Sequence, residues 1–219
     1  MTTHTSDLRA RILAEVKKAP SVTRATQRRR VALVSAIGAL ATASMFFAMG
    51  GVKAGSRPAE LVAFTAGFGL FAAAVLTRLS SPSKRVPSML GRPRSVLVTA
   101  TVIAAPVLAL VVLAAGLVWP HDPADEVGGR VHLACGAMTL AQGALPLVAM
   151  LIPKRGTDPV HPAITGAALG MTAGGWTVMM AYLRCPHPDG AHCLIAHVLP
   201  TLVLSAVGAA LGAILLRMR

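Results

Sequence analysis

Six apolar runs, each about the length an α-helix needs to cross roughly 30 Å of hydrocarbon, decide what this 219-residue chain can become. They are Val31–Gly50, Glu60–Thr77, Ser95–Trp119, Val131–Ile152, Pro159–Leu183 and Ala191–Leu216. Hydrophobic residues make up 54% and charged residues only 13%, against about 25% charged in soluble domains. A soluble core in a chain this size cannot hold that excess. The runs are continuous rather than alternating, which excludes strands, and in hydrocarbon a helix satisfies its own backbone. The expected fold is all-α: a polytopic membrane bundle of six transmembrane helices at 31–216. A cytoplasmic tail at 1–30 with a short amphipathic helix precedes it, and a cytoplasmic end at 217–219 follows.

The formal net charge of +13 would point to nucleic acid in a soluble protein. Its distribution points elsewhere. The tail holds eight basic and two acidic residues, and the loop after the second run holds Arg78, Lys84, Arg85, Arg92 and Arg94. The loop after the fourth run adds Lys154 and Arg155, and the chain closes on Arg217 and Arg219. The alternate loops are poor in cations: Asp122, Asp125 and Glu126 outweigh Arg130, and Asp189 balances Arg184. Basic loops stay cytoplasmic. Both termini are therefore expected inside a bacterial inner membrane, with no direct nucleic-acid ligand. Ala41-Thr42-Ala43 resembles a signal-peptide cleavage site, but Met45-Phe46-Phe47 continues the apolar run, so the first span reads as uncleaved.

In the tail, Thr5 or Ser6 can cap a helix whose first turn begins at Asp7. Leu8, Ile12 and Val16 recur every fourth residue, with Leu13 beside them, and Pro20 ends the pattern. So short a helix is marginal alone in water, and a lipid surface or a protein groove would order it. Within the spans, Gly166, Gly170 and Gly174 repeat every four residues, as do Gly208 and Gly212. Such ridges let helix backbones approach closely, within one bundle or across a homo-oligomer face. Pro106, Pro146 and Pro200 interrupt three of the runs. Asp, Glu, Lys and Arg are absent from the span interiors, where ion pumps and proton-coupled transporters usually need them. Serine–histidine–carboxylate and Walker patterns are also missing, so no enzymatic activity is expected.

The remaining chemistry is sulfur and imidazole. Cys185 to His197 reads CPHPDGAHCLIAH, and His132 and Cys135 share a helix face near the same outer end. On the oxidising side of the membrane three chemistries compete. Cys135 and Cys185 can form a disulfide. His132, Cys135, Cys193 and His197 can close a tetrahedral site around a soft metal ion, the cofactor this set would take. A thiol oxidoreductase is the third, weakened by the lack of a CxxC pair. Against these, His121 and His187 read as surface histidines and Cys193 as a small buried apolar residue.

The six spans, the short cytoplasmic N-terminal helix, Cys135 at the start of span four, and Cys185-Pro186 followed by Ala196-His197-Val198-Leu199-Pro200 resemble the NrsF-type membrane anti-sigma factors. A CarR-like regulator of a light or carotenogenesis sigma factor is a related resemblance. The resemblance implies that the N-terminal segment, through Leu8, Ile12, Leu13 and Val16, holds an extracytoplasmic-function sigma factor at the membrane. It also implies that a periplasmic or membrane stimulus loosens the hold or triggers degradation of the anti-sigma factor; the outer pair Cys135 and Cys185 is the candidate sensor, for a redox, metal or photo-oxidative signal. A thiol–disulfide oxidoreductase and a small metal or cofactor transporter are the rival functions.

Overall fold

The computed structural model describes Asp7, Ala10, Arg11 and Ala14, then residues 24–53, 57–81, 92–120, 122, 126–155 and 159–216. The chain divides into two compact units, Met1–Leu33 and Val34–Arg219. In the first, Asp7, Ala10, Arg11 and Ala14 are helical and exposed, and Asp7 pairs with Arg11 one turn on at 3.4 Å. Leu8, Ile12, Leu13 and Val16 lie outside the described residues.

The long helices are α1 (Arg24–Ala48), α2 (Ala59–Ser80), α3 (Arg94–Val118), α4 (Gly129–Leu151), α5 (Pro162–Arg184) and α6 (Gly190–Leu215). No strand occurs among the described residues. Five of the six are long and apolar enough to cross a membrane; α5 is not among them. The reason lies in its composition. Gly, Ala and Thr stand in α5 where its neighbours carry Leu and Val, because α5 is the helix the second unit is built around. It packs on α6, α2, α4 and α3, and most of its residues are buried. The outward faces of the other helices are apolar instead: Leu117 is 85% exposed and Leu133 76%. Apolar outside and small or polar inside is the arrangement a lipid solvent favours.

The glycine ridges face each other within this unit. A Cβ on Gly170 would overlap the Leu204 carbonyl, and one on Gly166 would overlap that of Gly208. A Cβ on Gly174 would stand 2.8 Å from the Thr201 Cβ. The absent side chains let α5 and α6 touch backbone to backbone, and Ser205 Oγ donates across the contact to the Ala167 carbonyl at 3.1 Å. Hydroxyls also bridge α5 to α2: Trp176 Nε1 donates to Thr77 Oγ1 at 3.0 Å, and Thr172 Oγ1 lies 3.0 Å from Ser80 Oγ.

Candidate functional site

The α5 C-terminus carries carbonyls with no helical partner, and two arginines organise that end. Arg57, 5% exposed, donates through Nη1 to Tyr182 O at 2.7 Å and through Nη2 to Leu183 O at 3.2 Å and to its own loop at Lys53 O. Its guanidinium lies 4.9 Å from the Tyr182 ring centroid, and Lys53 N–H donates to Leu183 O at 3.0 Å. A cation at a helix C-terminus meets the negative end of the dipole. Arg184 Nη1 reaches the thioethers of Met49 at 3.3 Å and Met138 at 2.5 Å, linking the end of α5 to α4 and to the segment after α1.

These contacts place Cys185, the residue that ends α5, beside α4 and α6. Asp189 then caps α6, accepting from Ala191 N–H at 2.9 Å and His192 N–H at 3.2 Å. After Cys193 the helix widens into a π-turn over Leu194–Val198, where Leu199 N–H bonds Leu194 O, five residues back. Pro200 follows at once. It has no N–H to offer the preceding turn, so the ladder there is free to widen.

The π-turn changes which residues share a face. In a regular helix Cys193 and His197, four apart, would point the same way, as the sequence reading expects. With one extra residue in the turn, His192 and His197 come together instead, edge to face at 5.2 Å between ring centroids. Cys193 turns into an apolar groove lined by Phe64, Trp119 and Tyr182. The four-residue metal set His132, Cys135, Cys193 and His197 is therefore not gathered as one group.

What is gathered is Cys135 from α4, Cys185 from the end of α5 and His192 from α6. One ligand atom from each lies within 4.8 Å of the other two. Cys185 Sγ is 3.2 Å from His192 Nε2. The ring of His132 lies 5.0 Å from that of His192, with Nε2 3.9 Å from Asp189 Oδ2. His187 meets His192 edge-on at 5.6 Å, so it is part of the cluster rather than a free surface histidine. His121 lies outside the described residues. Cys135, Cys185 and Cys193 are free thiols, with Cys135 and Cys185 close enough to be chemical partners.

The hydrogen-bond ledger of the cluster is incomplete in one specific way. Thr139 has a single hydroxyl proton and donates it to Cys135 O at 2.8 Å. Toward His197 Nδ1, 3.2 Å away, it must accept. His197 therefore carries its proton on Nδ1, and Nε2 is left as a bare lone pair. That atom is buried without a hydrogen-bond partner, as are His192 Nδ1 and His132 Nε2. Buried polar groups usually find partners; beside the two thiols His197 Nε2 and His192 Nδ1 have none within the protein, while His132 Nε2 has the Asp189 carboxylate at 3.9 Å. Burial pushes the Cys185 thiol up to about 11, so at neutral pH it is a protonated thiol rather than a nucleophilic thiolate.

His192, Thr139, Arg57 and Asp189 are the residues that sequence reasoning did not assign. The one signal for His192 was its five-residue spacing to His197 with a proline three residues beyond.

Fold and site together define an all-helical membrane protein whose buried thiol–imidazole cluster lies where α4, α5 and α6 meet. The chain belongs to the NrsF family, described as negative regulator of sigma F, whose model matches residues 16–218. The resemblance drawn from the cysteine pattern is thereby shown, and with it membership of a family of negative sigma-factor regulators. No curated protein and no solved structure gives a significant match.

Proposed function

We propose that this chain is a membrane-bound anti-sigma factor. Its N-terminal segment sequesters an extracytoplasmic-function sigma factor at the bacterial inner membrane, and the Cys/His cluster is the input that relieves sequestration. The observation that carries the reading is the family match across 16–218, nearly the whole chain. Both termini are cytoplasmic in this proposal, as the basic tail and loops require. The helix α5 completes the six spans as the fifth in order: 23 residues at 1.5 Å each reach about 34 Å, and its small side chains face helices rather than lipid.

The tight α5–α6 contact supports coupling, since an event at Cys185 or His192 bears directly on two helices that cannot move independently. Coupling needs two bundle arrangements that the cluster's two states favour differently. A redox, metal or photo-oxidative signal, including a light or carotenogenesis stimulus, falls within the chemistry of Cys and His. The lack of a CxxC pair argues against a thiol–disulfide exchange enzyme, and the apolar span interiors argue against a transporter. The test is co-purification of a sigma factor with the full-length protein. Changing Leu8, Ile12 and Val16 to aspartate should abolish it, and retained binding would refute the tail as the docking element.

A further inference from the structure

We propose that Cys135, Cys185 and His192 form a binding site for a thiophilic d10 cation of the zinc class. This deepens the reading of the cluster as the regulatory input, and its biological consequence rests on that reading.

Three observations point to the ligand. The three donor atoms come from separate elements yet lie within 4.8 Å of one another, and a tetrahedral zinc site needs sulfur and nitrogen ligands roughly 3.7 Å apart. Cys185 Sγ and His192 Nε2 are already 3.2 Å apart, so adjustments of about an ångström bring the set to that spacing. Second, His192 is 0% exposed, and its Nε2 stands 3.2 Å from Cys185 Sγ. Third, His197, 2% exposed, is held by Thr139 in the tautomer that leaves Nε2 bare. A metal-binding histidine is oriented in the same way, by a hydrogen bond on its other ring nitrogen. His197 and His132, each in ring contact with His192, are the two candidates for the fourth ligand.

Charge favours the same ligand class. Two thiolates and a divalent cation form a neutral unit, which a buried site accepts far better than a lone charge. Binding breaks two S–H bonds heterolytically and forms two metal–sulfur bonds. Both protons pass to water and no electrons move. Zinc prefers this soft donor set, whereas magnesium and calcium require oxygen ligands.

The test uses the purified full-length protein in detergent, with no sigma factor present, after reduction confirmed by titration of three free thiols. Added Co2+ should give the near-ultraviolet thiolate-to-cobalt band and the visible bands of a tetrahedral site. One equivalent of Zn2+ should erase both. Cys135→Ser, Cys185→Ser and His192→Gln should each abolish the thiolate-to-cobalt signature of the intact site, and Cys193→Ser should keep it. Thr139→Val should weaken zinc binding about tenfold if His197 is the fourth ligand. Helix content by circular dichroism and a single gel-filtration peak exclude misfolding as the cause of a lost signal. The proposal is overturned if the reduced protein gives no thiolate–cobalt band. It is equally overturned if the band survives His192→Gln, or if Cys135 and Cys185 are recovered only as a disulfide. None of these outcomes bears on sigma-factor co-purification through the tail, so the two readings fail separately.

Discussion

His192 and His197 stand edge to face at 5.2 Å although five residues separate them, a spacing that a regular α-helix would turn about 140° apart. The π-turn at Leu194–Val198 absorbs the difference. It behaves as a one-residue insertion placed just before Pro200, and it sets His192 rather than Cys193 on the face of His197.

Removing one residue from that turn should be tolerated. Deleting the outward-facing Ile195 converts the π-turn to α geometry and leaves the registers on either side in place. Deleting Leu202, in regular helix, rotates the outer end of α6 by about 100° against α5. Thermal melts in detergent should show the first variant close to the parent and the second strongly destabilised. Equal losses would show that the π-turn is not a separable insertion.

The glycine ridges make a contrasting pair of predictions. Gly170→Ala drives a Cβ into the Leu204 carbonyl, and overpacking of this kind costs about 1–3 kcal/mol. Gly116→Ala meets nothing within 4 Å and should be neutral or slightly stabilising, since Ala is the better helix former by up to about 1 kcal/mol. The order of the two melting temperatures decides whether the ridge is intramolecular packing.

Arg57 should act on Cys185 without touching it. Arg57→Met removes the donors to Tyr182 O and Leu183 O, and hydrogen bonds from a charged group are worth about 1.5–3 kcal/mol. The end of α5 should fray, and Cys185 should label faster with a maleimide in membranes. Arg57→Lys should recover part of the protection, because an ammonium lacks the planar fork that reaches two carbonyls. Unchanged labelling in Arg57→Met would remove the arginine from the positioning of the site.

Topology gives a fourth test. Alkaline phosphatase fused in the acidic 122–126 loop should be active, and a fluorescent protein fused after Arg219 should mature in the cytoplasm. Activity of phosphatase at the C-terminus would invert the proposed orientation.

Much of this was legible in the chain. Span length and hydropathy are local properties, so five of the expected spans could be placed to within a few residues. The ridges at Gly166–Gly174 and Gly208–Gly212 announced a close helix contact because only missing side chains permit one. Less legible was α5, whose modest hydropathy reflects a central position that no residue count reveals. Cys135 and Cys185 could be named as partners, but their neighbour could not.

By itself the sequence determined that the chain forms long apolar helices, where they begin and end, and that its reactive groups collect near one end of them. Tertiary structure alone decided that His192 and not Cys193 faces Cys185, that Thr139 sets the His197 tautomer, and that Arg57 closes the end of α5. The physical reason is register. Which side chain faces the site depends on one extra residue in one turn, and that turn widens only where Pro200 loosens the ladder and the helices around α5 hold the result in place.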